Sequence, residues 1–269
     1  MKIHYMAAAK TDIGLVKQVN QDSLTVKVAD TKLGEVSFAV ICDGMGGLAK
    51  GELASAIVVR AFEKWFYEQL PLRLGQLKEA ILRKEWEQLI ADCNSRIRQE
   101  GSQNMGTTLT AMLLFAGHYY VIHVGDCRAY ELTGEMFQLT QDQTYVAREV
   151  ALGHMTKEQA RTDSRRNVLL QCIGVKEAVE PQFLSGRLVP GACYLLCSDG
   201  FRHEVSKQEI REKIEEEVWE QVKSHNNQEG IMKGMNRALD RLISMSKSRG
   251  ERDNISAILI QTMEEIQAC

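Results

Sequence analysis

The sequence predicts an α+β fold in which two antiparallel β-sheets pack face to face and pairs of helices cover their outer sides. Strand-like and helix-like runs are segregated along the chain, which is typical of α+β proteins. Several strand-like runs are joined by connections of hairpin length, which disfavours a parallel, doubly wound sheet. The helix-like runs carry apolar stripes, and the proposed sandwich would bury all of them.

The first third of the chain contains three strand-like runs followed by two helix-like runs. β-Branched and apolar residues predict strands at residues 7–13, 23–28 and 36–42. Apolar residues at helical spacing then predict a helix from residue 51 to residue 69, ended by Pro71, and a second helix across residues 77–97. Trp65 and Trp86 lie on these stripes, so we expect both in the core.

From Gly106 onward the apolar period changes to that of strands. Four short strands are predicted as an antiparallel meander, at residues 107–115, 119–124, 128–132 and 136–139. Residues 143–167 are polar and weakly periodic, which predicts an irregular insertion with one short helix at residues 157–161, capped by Thr156. The remaining elements are strands at 183–188, 193–197 and 255–261, and helices at 206–217 and 228–247. Because no linker or repeat divides residues 1–269, we expect one domain.

The composition excludes several classes of protein. The chain has 44% hydrophobic and 26% charged residues, a net charge of −3 and no basic tract, which disfavours nucleic acid as the main partner. Residues 1–10 lack the apolar core of a signal peptide, and no apolar run reaches membrane-spanning length. The seven cysteines are scattered without paired spacing, which indicates reduced thiols rather than a zinc site or disulfides. We therefore expect a cytoplasmic protein without a membrane anchor.

Acidic residues recur where an apolar strand meets a turn. Asp43, Asp126, Asp199 and Asp253 occupy such places, and Asp22 is a fifth candidate. Each alone could be a turn-forming residue, and an Asp-Gly pair is commoner as a hairpin turn than as a ligand site. Five in such contexts favour one shared site, and without histidine or cysteine at ligand spacing its donors are oxygens, which suits Mg²⁺ or Mn²⁺. Two such ions about 4 Å apart could activate a water for an in-line displacement.

These acids belong to a series of short motifs that runs from about residue 9 to residue 261. In order they are NQD, DGMGG, GTT, GDCRA, LTQD, LLCSDG and DNIS. The series resembles the metal-dependent Ser/Thr protein phosphatases of the 2C type, the PPM family, in their compact bacterial form. The resemblance implies a four-layer αββα sandwich. It also implies direct hydrolysis of phosphoserine and phosphothreonine by metal-activated water, without a phosphoenzyme.

The resemblance also assigns metal ligands. By this likeness, Asp43 would bridge two Mn²⁺ or Mg²⁺ ions, and the carbonyl of Gly44 would bind the second ion. Asp199 and Asp253 would hold the first ion. Asp126, together with Asp199, would form a weaker third metal site.

Other site positions follow or depart from the family pattern. Asp22 would orient a metal-bound water without binding the ion itself. Lys17 stands where the family has a phosphate-binding arginine, and a lysine offers a point charge in place of a bidentate fork. Met45 replaces the histidine that serves many eukaryotic relatives as a general acid, and Gln143 replaces a histidine common after LTQD. His203 stands where an acidic residue often follows SDG. It could contact the site, but we expect a solvated side chain beside Glu204.

The flap is the family's variable segment beside the cleft, and residues 143–167 match it. Its charges could steer phosphopeptides or form only a solvated surface. The resemblance implies phosphorylated Ser/Thr proteins as substrates, a Ser/Thr kinase as functional counterpart, and a monomer. Two alternatives remain open at this stage: a catalytically silent relative that binds phosphoprotein, which Lys17 would favour, and a hydrolase of small phosphate esters.

Overall fold

The computed structural model describes residues 3–45, 50–101, 105–223 and 228–264. Within these ranges the strands form two antiparallel sheets. The strands are β1 Ile3–Asp12, β2 Asp22–Thr31, β3 Gly34–Met45, β4 Gly106–Thr107, β5 Leu109–Phe115, β6 His118–Val124, β7 Arg128–Leu132, β8 Met136–Gln138, β9 Gln182–Arg187, β10 Cys193–Cys197 and β11 Ile255–Glu264. The first sheet has the order β1-β11-β10-β7-β8. The second has the order β2-β3-β5-β6-β9, with β4 paired to β3.

The helices lie before, between and after these strands. They are α1 Gly51–Glu68, α2 Leu70–Arg73, α3 Glu79–Gly101, α4 Tyr145–Ala151, α5 Lys157–Thr162, α6 Asp199–Arg202, α7 Lys207–Ile214, α8 Glu220–Lys223 and α9 Gln228–Ser248. A single π-helical stretch, Glu215–Trp219, joins α7 to α8.

Three apolar clusters hold the four layers together. One lies between the second sheet and helices α1 and α3, and another between the first sheet and helices α6, α7 and α9. The third fills the space between the sheets. Strand β3 shows how the pleat serves two clusters, because Phe38 and Val40 face the helices while Ala39 and Ile41 face the other sheet. Trp65 and Trp86 are buried in the first cluster, as predicted.

The predicted meander is wrong in one respect. Strands β5 and β6 form a hairpin in the second sheet, but β7 and β8 form theirs in the first sheet. The chain passes from one sheet to the other between Val124 and Arg128, where Gly125 adopts a φ of +104° that favours glycine. Strand spacing alone cannot distinguish such a crossing from a continued meander. The crossing matters because it contains Asp126.

The helices agree with prediction in place and differ in extent. Helix α1 ends at Glu68, and Pro71 stands near the start of the short helix α2. Residues 143–167 contain two helices where one was predicted, and the second is capped by Thr156 as expected. No helix in the described part of the chain is long and apolar enough to cross a membrane. The six cysteines within the described ranges are buried free thiols.

Candidate active site

The backbone of Asp43 is fixed by the GTT motif. Asp22 opens β2 directly opposite Asp43 on β3, so the two carboxylates are neighbours across one strand pair. The amide of Asp43 donates to Thr108 Oγ1 at 2.9 Å. In return, the carbonyl of Asp43 accepts from the amide of Thr108 at 2.9 Å and from Thr107 Oγ1 at 3.0 Å. These bonds hold Asp43 on a rigid strand, as a preorganised ligand position requires.

Gly44 serves close packing rather than a turn. Gly44 follows Asp43, and instead of forming the hairpin turn that is common for an Asp-Gly pair it continues β3 and pairs with Thr107. A Cβ at Gly44 would lie 2.2 Å from the carbonyl oxygen of Gly51 and 2.5 Å from that of Gln21. Gly46 and Gly47 lie outside the described residues. The glycine therefore lets β2, β3 and the start of α1 approach one another.

We expect Gly44→Ala to lower the free energy of unfolding by about 1–3 kcal/mol, because the added methyl would overlap the backbone carbonyls of Gly51 and Gln21, which could move apart only by straining the chain. Urea unfolding of the metal-free protein measures this loss. Gly75→Ala is the matched control, since a Cβ at that position meets nothing within 4 Å. Equal midpoints for the two variants would contradict the packing role of Gly44.

Three other acids reach the same region from separate elements. Asp126 lies in the crossing between β6 and β7, Asp199 begins α6 directly after β10, and Asp253 immediately precedes Asn254 and β11. The charges of all three, together with that of Asp22, raise the pKa of Asp43. The five acids that the sequence selected therefore lie near enough for the charges of the other four to act on Asp43.

Asn254 is a positioning residue that the sequence analysis did not single out. Its Oδ1 accepts from the amide of Gln21 at 2.9 Å, and its Nδ2 donates to the carbonyls of Ile13 at 2.9 Å and Val19 at 3.2 Å. The buried amide thereby ties the loop that carries Lys17 to the turn that carries Asp253. The DNIS motif contained this signal, but only its aspartate was interpreted.

The clustered carboxylates suppress one another's ionisation. Burial raises the pKa of Asp43 well above its usual range, and the charges of Asp22 and Asp199 raise it further. Burial, followed by the charge of Asp199, raises the pKa of Asp22 to about 7 and that of Asp126 to about 7. The site therefore gathers negative charge that needs a cation for its ionised form to be stable.

The donor atoms at this site fit a hard divalent cation. Within the described ranges, neither carboxylate oxygen of buried Asp22, nor Oδ1 of Asp199, accepts a hydrogen bond of normal geometry, although the hydroxyls of Ser256 and Ser198 lie near enough to Asp22 to favour its ionised form. Buried oxygens without donors are costly unless an ion binds them. In the same ranges, no group of three or more histidine, cysteine, aspartate or glutamate side chains is arranged closely enough to hold a metal ion without rearrangement.

Lys17 lies at the edge of the carboxylate cluster. Its Nζ is 2.7 Å from Oδ1 of Asp253. Burial alone would lower the pKa of Lys17, but the ion pair with Asp253 and the charges of Asp43 and Asp199 outweigh it and raise that pKa. A permanently cationic lysine beside the acids can attract a substrate anion.

The expectation of a solvated His203 beside Glu204 is corrected by the structure. The His203 side chain is 29% exposed and lies between two carboxylates, with Nε2 3.5 Å from Asp199 Oδ2 and Nδ1 3.5 Å from Glu251 Oε2. Glu251 comes from the loop before β11, far from His203 in sequence, so local sequence could not reveal it. Burial alone would lower the pKa of His203, but Glu251 and Asp199 raise it.

The model of the family described as protein phosphatase 2C matches residues 16–243. The chain belongs to this family. Over 258 residues, this chain is 31% identical to a curated protein, the serine/threonine protein phosphatase PstP of Mycobacterium tuberculosis strain H37Rv. That match covers 96% of this chain but only 45% of the relative. The serine/threonine phosphatase stp of Listeria monocytogenes EGD-e is 28% identical, with 95% of each chain covered.

Solved structures share the fold of this phosphatase 2C chain. The serine/threonine phosphatase of S. agalactiae superposes with a TM-score of 0.80 at 26% identity, over 97% of this chain and 100% of the other. The catalytic domain of PstP, solved in complex with two manganese ions, gives a TM-score of 0.76 at 28% identity, over 98% and 100% of the two chains. The four-layer αββα sandwich implied by the sequence motifs is therefore confirmed.

Proposed function

We propose that the chain is an Mn²⁺- or Mg²⁺-dependent phosphatase that hydrolyses phosphoserine and phosphothreonine in proteins. The observation that carries the proposal is the gathering of five acids, with unpaired buried oxygens, at one edge of a phosphatase 2C fold. The manganese ions in the PstP structure support the choice of metal. Such oxygen-rich sites suit hard divalent ions.

The side chains of the site have distinct roles in this proposal. Asp43, the carbonyl of Gly44, Asp199 and Asp253 would hold two ions. When bound, the ions supply a nucleophilic water at neutral pH and neutralise charge on the phosphoryl oxygens. Asp22, opposite Asp43 on the strand pair, orients the attacking water.

Substrate binding falls to Lys17. It donates to a phosphate oxygen from the edge of the acid cluster, 2.7 Å from its resting partner Asp253. Met45 supplies no proton at its position, so leaving-group protonation falls to water.

Hydrolysis of p-nitrophenyl phosphate and of a phosphothreonine peptide tests the proposal. We expect both activities to require Mn²⁺ and to vanish in Asp199→Asn, because that variant loses a charged ligand. Turnover of the ester without turnover of the peptide would instead favour a small-ester hydrolase. A folded chain that binds Mn²⁺ and hydrolyses neither would favour a silent phosphoprotein-binding relative.

We expect Lys17→Ala to raise KM for the phosphopeptide by about 10- to 100-fold with a smaller fall in kcat, because it removes a charged donor to the phosphate. Lys17→Arg should be tolerated. Steady-state kinetics at saturating Mn²⁺ measures both parameters. Lys10→Ala is the matched control, since Lys10 pairs with Asp240 at 3.0 Å away from the acid cluster. Equal losses of kcat and kcat/KM with Mn²⁺ affinity intact would contradict a binding role.

The biological setting is part of the same proposal. Residues 143–167 form the flap of a one-domain enzyme and help to select its substrates. In this segment Tyr145 packs under Arg165 at 4.3 Å, and Arg165 is held by Asp163 at 2.8 Å, so this arginine already has partners within the flap. We place the enzyme in the cytoplasm as a monomer that opposes a Ser/Thr kinase. The buried free thiols support a reducing compartment.

A further inference from the structure

Arg202 is a buried arginine beside the acid that was expected to bind a third metal ion. It is the last residue of α6, and its side chain is only 10% exposed. Its Nη2 donates to the carbonyl of Asp126 at 2.9 Å and lies 3.7 Å from Asp126 Oδ2. The Asp126 residue is itself only 7% exposed. A guanidinium therefore already lies next to this carboxylate.

The ion pair between Arg128 and Asp142 means that Asp142 does not depend on Arg202 for its counter-charge. Asp142 lies 3.8 Å from Arg202 Nη2, but its carboxylate is held in a bidentate pair by Arg128, at 2.8 Å from Nε and 2.6 Å from Nη2. Two arginines thus face two carboxyl groups, those of Asp126 and Asp142. Asp126 consequently has its own cation, supplied by α6.

The other carboxylate expected at a third metal site faces a histidine. Position 203, where an acidic residue was expected, presents His203 Nε2 at 3.5 Å from Asp199 Oδ2. Arg202 and His203 therefore place basic side chains beside Asp126 and Asp199, whereas a divalent cation there would need additional oxygen ligands. The arrangement does not fit a divalent cation at Asp126.

We propose that the guanidinium of Arg202 takes the place of a third divalent cation at Asp126, so that the chain binds two Mn²⁺ ions and no third. Arginine stays charged at any physiological pH, so the positive charge beside Asp126 is permanent. Burial and Asp199 raise the pKa of Asp126, and the charge of Arg202 opposes them. An incoming ion at Asp126 would also be repelled by this guanidinium in a poorly hydrated setting. The proposal rests on the two-metal site proposed above.

Calorimetric titration with Mn²⁺, checked by equilibrium dialysis and metal analysis, tests the proposal without measuring activity. We expect two Mn²⁺ per chain for the wild type and for Arg202→Lys, which keeps the charge. Arg202→Met removes the charge but keeps much of the length, and we expect it to gain one additional, weaker Mn²⁺ per chain. The double variant Arg202→Met/Asp126→Asn should lose that ion and keep the first two. Asp126→Asn in the wild-type background should leave the Mn²⁺ stoichiometry unchanged.

The outcomes separate this proposal from the function on which it rests. Three Mn²⁺ per wild-type chain, with loss of one in Asp126→Asn, would overturn the role of Arg202 and leave the phosphatase proposal intact. An Arg202→Met variant that retains the wild-type thermal transition with Mn²⁺ and still binds only two ions would also overturn it. If Arg202→Met does not fold, the effect of Asp126→Asn on the wild-type titration decides the question. A folded wild type that binds no Mn²⁺ would overturn both proposals.

Discussion

Asp43→Asn should abolish Mn²⁺-dependent phosphopeptide hydrolysis and at the same time raise the thermal stability of the metal-free protein. Activity should fall by about 10³-fold or more, since the carboxylate assigned to both ions is worth several kcal/mol of charge stabilisation. Stability should rise because the pKa of Asp43 is raised, first by burial and then by Asp22 and Asp199, so its ionised form is unfavourable in the folded state. Asparagine keeps the shape without the charge.

Calorimetry in EDTA and kinetics in Mn²⁺ on the same preparations measure the two effects. Asp30→Asn is a suitable control, because Asp30 is an exposed residue near the other end of β2 and should change neither quantity. Opposite shifts in activity and stability distinguish a site built for ligand binding from one built for packing. A variant that loses both would indicate that Asp43 mainly supports the fold.

The sequence predicted the strands and helices well because their apolar periods are strong. Strand β10 was predicted at its observed bounds, since Cys193–Cys197 is a continuous apolar run that is buried on both sides. The predicted meander failed because spacing between strands carries no information on which sheet each strand joins. That choice depends on Gly125 and on the three clusters, which form only when the whole sandwich is assembled.

The acids of the site were found because each follows or precedes an apolar strand in a motif. Among the basic residues around them, Lys17 was found by its place in the motif series, but Arg202 was not, and His203 was expected to be solvated. Arg202 ends the short helix α6 and His203 directly follows it, and their partners Asp126 and Glu251 come from distant loops. Sequence reasoning treats such residues as solvated by default, because most arginines and histidines on short helices are exposed. Only the tertiary fold shows that they neutralise carboxylates within the site.

The metal-free protein should lose stability as the pH rises through about 7, and Mn²⁺ should remove this loss. The pKa of Asp22 and that of Asp126 are raised by burial and by Asp199 to about 7, well above the unfolded values. The folded state then binds more protons than the unfolded state between these values, so stability is present at low pH and is lost through pH 7. The loss should be on the order of a few kcal/mol, or roughly 5 °C or more in Tm.

Below pH 6.5 a second group acts in the opposite direction. Burial lowers the pKa of His123 to about 4, although Asp142 and the carbonyls of Gly125 and Gln141 favour its charged form. A group with a lowered basic pKa stabilises the fold above its unfolded pKa, and that contribution is lost as the pH falls from about 6.5 to 4. The two effects oppose each other there, so only the last part of the carboxylate loss, from about pH 6.5 until it levels off above pH 7, is free of His123.

Thermal scans across that window in EDTA and in Mn²⁺ avoid the opposing effect of His123. Asp22→Asn should reduce the slope of the EDTA profile, because it removes one of the carboxylates that titrate there, while His203, whose pKa is also raised, keeps contributing in the same direction. Glu87→Gln should leave the slope unchanged, since Glu87 is a surface residue paired with Arg83 far from the site. The charge of bound divalent cations favours the ionised form of nearby carboxylates, so the Mn²⁺ profile should be flatter than the EDTA profile. An EDTA profile that rises with pH across this window would mean that the acids are already neutralised within the fold, and the case for a metal site at this edge of the sandwich would fail with it.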